Sequence, residues 1–131
     1  MRAHHLRLRL LPETFAICRL NPDAALPPWL PGHGFSAVIR TAAELALYCD
    51  QSAVPHDVQA ARGWRAFELL GPFAFTETGV IASVAGPLAE AGISISVLAT
   101  YDTDYIFISE AALKDAVEVL SAAGHRIISQ D

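Results

Sequence analysis

Two short segments carry residues suited to holding a small zwitterion. In Thr76-Glu77-Thr78-Gly79-Val80 a glycine stands at the head of an apolar helical pattern, with a carboxylate just before it. The first N–H groups of a helix lack intrahelical acceptors and sit at the positive end of its dipole, so they suit a carboxylate. Gly79 has no side chain, which lets a ligand approach the backbone closely. In Thr100-Tyr101-Asp102-Thr103-Asp104-Tyr105 two aspartates bracket a hairpin turn. Together with Glu77 they suit an α-ammonium or a basic side chain. This chemistry makes Glu77, Gly79, Asp102 and Asp104 candidate ligand-binding residues, with Thr78 beside them in the same loop. Ser52, Ala53 and Val54, just after the apolar run Leu45–Cys49, are candidates for a second wall. Each residue also has a plainer role open to it. Asp is a common turn residue for local reasons, Thr76 and Thr78 suit helix capping, and Glu77 suits a solvated loop. Tyr101 suits packing, as do Tyr105 and Phe107 by strand alternation.

Other chemistries fail on pattern. His4-His5 is adjacent rather than helically spaced, and His33, His56 and His125 have no ligand-like neighbours, so no metal site is expected. There is no Gly-x-Ser-x-Gly, no cysteine–histidine nucleophile pattern and no phosphate-binding loop. Gly32-x-Gly34 lacks the third glycine and the following helix of a dinucleotide fingerprint. An Asp102/Asp104 acid–base pair has neither nucleophile nor metal beside it. No cofactor and no catalytic residue is assigned.

Those segments need elements to position them. Alternation and short apolar runs predict strands over Leu6–Leu11, Thr14–Leu20, Phe35–Thr41, Leu45–Cys49 and Trp64–Leu70. Asn21–Gly34 carries Pro22, Pro27, Pro28 and Pro31, which confine any helix there to a short, irregular piece. Ser52–Arg62 reads as a short helix after Pro55, ended by Gly63. Gly79–Ala91 predicts a helix with Val80, Ile81, Val84 and Leu88 on one face, stopped by Gly92. Strands follow over Ile93–Thr100 and Asp104–Ser109. A second helix covers Glu110–Ala123, capped by Ser109, with an apolar stripe of Leu113, Ala116, Val117, Leu120 and Ala123. His125–Ser129 is the last strand. Pro87 falls inside the first long helix and removes the hydrogen bond to the Ser83 carbonyl, leaving a bend, or Ser83 and water, to satisfy it.

Trp64–Ser129 thus reads β-α-β-β-α-β, the ferredoxin-like order. Thr14–Leu70 gives a weaker copy, and the strand pair at Thr41 recurs at Thr100, about one such unit later. The division is residues 1–63 and 64–131. Trp64–Leu70 is claimed by both copies, which leaves Leu6–Leu11 spare to fill a vacancy in one sheet.

The 131 residues are 53% hydrophobic and 18% charged, with a net charge of −5. This suits a folded core and excludes a protein that lives on phosphate backbones. The N-terminal MRAHHLRLRLL lacks the apolar stretch of a secretory signal. Gly79–Tyr101 holds only Glu90 as a charge, but Pro87, Gly92 and the alternating ISISV exclude a membrane span. Cys18 and Cys49 lie in apolar strand-like runs and read as buried thiols of a cytoplasmic protein.

The helix start TETGV, the helix end LAEAGIS and the hairpin TYDTDY resemble the ACT-domain family of amino-acid-binding regulatory modules. Within it, the chain is similar to small paired-ACT proteins of the arginine-sensor and aspartate-kinase-regulatory kind. The resemblance covers the second half of the chain and weakens over the proline-interrupted first half. It implies an α+β fold of tandem ferredoxin-like (βαββαβ) ACT units packed side by side, with ligand sites at unit interfaces and no catalysis. It places the pocket at Glu77, Gly79, Val80, Thr100, Tyr101 and Asp104. The partners expected are a free amino acid and a second copy or another protein, with no nucleic acid and no membrane. The rival functions are an interaction module that pairs through exposed sheet edges and a small enzyme using the acidic cluster.

Overall fold

The computed structural model describes residues 4–71, 73 and 78–129. Its strands are β1 (Arg7–Leu10), β2 (Phe15–Leu20), β3 (Ala37–Arg40), β4 (Leu45–Asp50), β5 (Ala60–Leu69), β6 (Ile95–Ala99), β7 (Asp104–Ser109) and β8 (Arg126–Ser129). The helices are α1 (Val80–Glu90) and α2 (Leu113–Ala122), with 3₁₀ turns at Gln51–Ala53 and Glu110–Ala112. The chain forms two compact units, Glu13–Trp64 and Met1–Pro12 with Arg65–Asp131.

In the unit Glu13–Trp64 the strands run in the order β3-β4-β2-β5. For a chain reading β2, β3, β4, β5 this is the second-third-first-fourth arrangement of a ferredoxin-like sheet. The helices are what it lacks: among the described residues, an irregular segment replaces the first and a 3₁₀ turn the second. The helix expected over Ser52–Arg62 does not form. Pro55 pushes Val54 into extended backbone (φ −89°, ψ 122°), so the turn cannot propagate. Gly63, expected to end a helix, instead has φ 80° inside β5, where the register against β2 slips. An extra residue with left-handed glycine is the signature of a β-bulge. The core of this unit gathers Ala16, Cys18, Leu45, Leu47, Cys49 and Val54.

The other unit is the fuller copy. Its strand order is β6-β7-β5-β1-β8, again the ferredoxin order for β5, β6, β7 and β8, with β1 inserted between first and fourth. β1 runs antiparallel to β5 (Leu8 opposite Leu69) and parallel to β8 (Leu8 opposite Ile127). The spare N-terminal strand therefore joins the C-terminal half. β5 also resolves the double claim on Trp64–Leu70. Ala60, Ala61 and Trp64 pair with β2, and Phe67, Glu68 and Leu69 pair with β1, so one ten-residue strand serves both units.

α1 buries Val80, Val84 and Leu88, and α2 buries Ala116 and Leu120, against Leu8, Phe67, Leu69, Ile106 and Ile108. Ser109 leads into the 3₁₀ turn without a side-chain cap, correcting the capping role expected of it. Pro87 lies inside α1 as expected. The carbonyl it frees is met by a histidine: His125 Nε2 donates to the Ser83 carbonyl at 2.7 Å, while the Ser83 hydroxyl donates to the Val80 carbonyl. His125 Nδ1 accepts the Leu6 N–H at 3.1 Å, so the ring carries its proton on Nε2 and is only 5% exposed.

Candidate functional site

The hairpin between β6 and β7 is fixed by its own threonines. The Thr100 N–H donates to the Thr103 carbonyl (2.7 Å), as does the Thr100 hydroxyl (3.1 Å), and Thr100 Oγ1 accepts the Thr103 N–H (3.3 Å). The Thr100 hydroxyl is thus occupied within its turn. The Thr103 hydroxyl donates to the Leu69 carbonyl, which sets the start of β7 against the end of β5. The Phe73 N–H donates to the Asp102 carbonyl at 3.2 Å, tying Phe73 to the same turn.

Strand alternation then orients the carboxylates. Ile106 and Ile108 point into the core shared with α1 and α2, so Asp104 lies on that same face, at the strand end. It is partly buried, and among the described residues its carboxylate makes no hydrogen bond or ion pair. Asp102 is exposed, and Tyr101 is 82% exposed, which is not a packing aromatic's position. Phe107 is fully buried and Tyr105 partly so. Burial above all, then the nearby Glu68 and Asp102 charges, push the Tyr105 phenol above its ordinary pKa. Its hydroxyl lies 3.4 Å from Glu68 Oε2.

At the head of α1, Gly79 has φ 81° and ψ −4°, left-handed backbone that costs a side-chain-bearing residue about 1–2 kcal/mol. Among the described residues no side chain caps the helix. The Ser83 N–H closes the first turn on the Gly79 carbonyl at 3.0 Å, so the N–H groups of Val80, Ile81 and Ala82 have no acceptor within the helix. The Val80 side chain is buried, so only its backbone can meet a ligand. Thr78 is exposed, its side chain caps nothing among the described residues, and its carbonyl accepts from His4 Nε2 at 2.9 Å. Glu77, with Thr76, lies outside the described residues.

Ser52 and Val54 belong to the unit Glu13–Trp64. There they line a cleft of about 620 Å³ with Gln51, His56, Arg62 and Gly63. Sequence reasoning missed the last four. A helix over Ser52–Arg62 would have spread them around a cylinder, whereas a 3₁₀ turn and a bulged strand converge them. The pairing of Pro55 with Gly63 was the available signal. Among the described residues no group of His, Cys, Asp and Glu is placed to hold a metal ion, and no helix is long and apolar enough to cross a membrane. Cys18 and Cys49 are buried free thiols. Burial, then the neighbouring Cys18, push the Cys49 thiol up to about 11.

Residues 59–122 match the ACT domain, and residues 13–57 match an N-terminal domain family. The human cytosolic arginine sensor for mTORC1 subunit 1 is 38% identical over 58 residues, which is 44% of this chain and 18% of that protein. The chain thus spans about a fifth of the length of the curated relatives it matches. A crystal structure of an Agrobacterium tumefaciens protein superposes with a TM-score of 0.92 at 36% identity, covering 98% of this chain and 96% of that one. The ligand-free regulatory subunit of aspartate kinase from Thermus thermophilus shares the fold, with a TM-score of 0.57 at 12% identity over 85% of this chain and 93% of that one.

Proposed function

Because the chain belongs to the ACT-domain family, we propose that it is a non-catalytic regulatory module that binds a free amino acid. In this reading the two ACT units are those divided at residues 63 and 64, apart from the strand Arg7–Leu10. The observation that carries it is the start of α1 at Gly79, which no side chain caps among the described residues, in the unit that also holds the partly buried carboxylate of Asp104, without a partner among the described residues. The α-carboxylate sits on the N–H groups of Val80, Ile81 and Ala82. Asp104 and Asp102 receive the ammonium or a basic side chain. Glu77 is assigned to the same positive group by its chemistry and its place in the chain. Tyr101 supplies an aromatic surface beside the cation. The Thr100 hydroxyl is already used, so Thr100 contributes backbone. A relative named as an arginine sensor supports a basic ligand, while helix-end binding accepts any α-carboxylate. Occupancy would bias a second copy or a partner protein, which is how such a module reports concentration.

Calorimetric titration with each of the twenty amino acids tests this. Saturable heat from one or a few is expected, and silence from all of them with folded protein refutes it. One observation favours a second reading, an interaction module without a ligand. β3 ends its sheet with Val38 and Ile39 exposed by 44% and 40%, an edge open to another strand. Sedimentation of a fixed oligomer indifferent to amino acids would select that reading.

A further inference from the structure

We propose that the cleft of the unit Glu13–Trp64 is an oxyanion site, taking a small carboxylate or phosphate with Arg62 as its cation. The proposal does not rest on amino-acid binding at Gly79, since every lining residue comes from the other unit.

Four hydrogen bonds build the frame. Asp50 Oδ1 accepts from the Ser52 N–H (2.9 Å) and the Ser52 hydroxyl (2.8 Å), which fixes the turn Gln51–Ala53. Gln51 Oε1 accepts the Gly63 N–H at 2.9 Å, locking the turn to the bulge of β5. Arg62 Nη2 donates to the Pro55 carbonyl at 2.9 Å, holding the guanidinium across the loop.

Those bonds leave a one-sided chemistry. Gln51 has its acceptor occupied, so its amide nitrogen remains as a donor. The Ser52 N–H is taken, so the turn offers no helix-end donor there. Arg62 uses one of its five N–H groups and makes no ion pair with a described residue. His56 adds a ring N–H. The lining holds no carboxylate, in a chain whose net charge is −5. Asp50, the nearby acid, is turned to Ser52. An anchored planar fork among further donors matches a bidentate oxyanion, and about 620 Å³ falls within the range of small-molecule clefts.

The test is an amide ¹⁵N–¹H titration of the full chain with sodium phosphate and with sodium succinate, against sodium chloride at equal ionic strength and pH. Saturable shifts at Gly63, Gln51 and Ser52 beyond those in chloride are expected. Saturation by only one anion identifies which source the site takes. Arg62→Gln should weaken binding at least about tenfold, the value of a charge-assisted hydrogen bond. Gln51→Glu keeps the acceptor for Gly63 and adds a negative charge, so it should abolish binding, and it decides the matter should Arg62→Gln not fold. Shifts equal to those in chloride, shifts confined to the Gly79 and Asp104 region, or undiminished binding in a folded variant overturn the proposal.

Discussion

Replacing His125 with leucine removes a side chain that joins three separate pieces of sequence. Its Nδ1 accepts the buried Leu6 N–H, and its Nε2 donates to the Ser83 carbonyl freed by Pro87. In His125→Leu both backbone groups lose their partner. An orphaned buried donor or acceptor costs about 1–3 kcal/mol. Leu6 is buried and Ser83 only partly so, so the second group recovers some hydration. The sum is about 2–4 kcal/mol, and a chain of this length loses about 3–4 °C of Tm per kcal/mol. The sharper measurement is a double-mutant cycle by urea unfolding with Pro87→Ala. Alanine restores an N–H at residue 87 that can reach the Ser83 carbonyl. In that background His125→Leu should cost less, by about 1 kcal/mol, because one of its two orphans has found a donor. Additivity within about 0.5 kcal/mol would refute the view that the histidine answers the proline.

Further expectations follow from the same geometry. Asp104→Asn should weaken amino-acid binding by roughly 10–100-fold, read by calorimetry, since it removes one charge-assisted contact; unchanged affinity would remove Asp104 from the site. Gly79→Ala should cost about 1–2 kcal/mol of stability through its left-handed φ of 81° and weaken binding further through the added Cβ, both measured on the purified variant. The Cys49 thiol ionises near 11 in the folded chain against an ordinary 9.0. Its raised pKa means that the stability is fully present below pH 9.0 and lost as pH climbs towards 11. That alkaline loss is ~3 kcal/mol at most, and Cys49→Ala should flatten it in pH-dependent urea unfolding. Native Cys18 and Cys49 should react with a thiol reagent only as fast as the chain opens, and rapid labelling of folded protein would contradict their burial.

Local pattern carried a long way in the second half of the chain. The apolar spacing of Val80, Val84 and Leu88, the stop at Gly92 and the span Asp104–Ser109 all appear as read, because helix and strand periods there agree with burial on one face. The first half was harder. Pro55 and Gly63 serve equally as helix boundaries and as a turn followed by a bulge, and only pairing with β2 chooses the second. Arg62, His56 and Gln51 therefore gave no sign in sequence of sharing a cleft.

The sequence by itself determined the element types after Trp64, the glycine start of α1 and the aspartate-bracketed hairpin, since each depends on neighbours within a few residues. Tertiary structure alone decided that Leu6–Leu11 lies between β5 and β8, that one strand serves both units, and that His125 reaches back to Ser83. Those are contacts between residues far apart in the chain. Their free energy comes from pairing and burial with partners that no local pattern names.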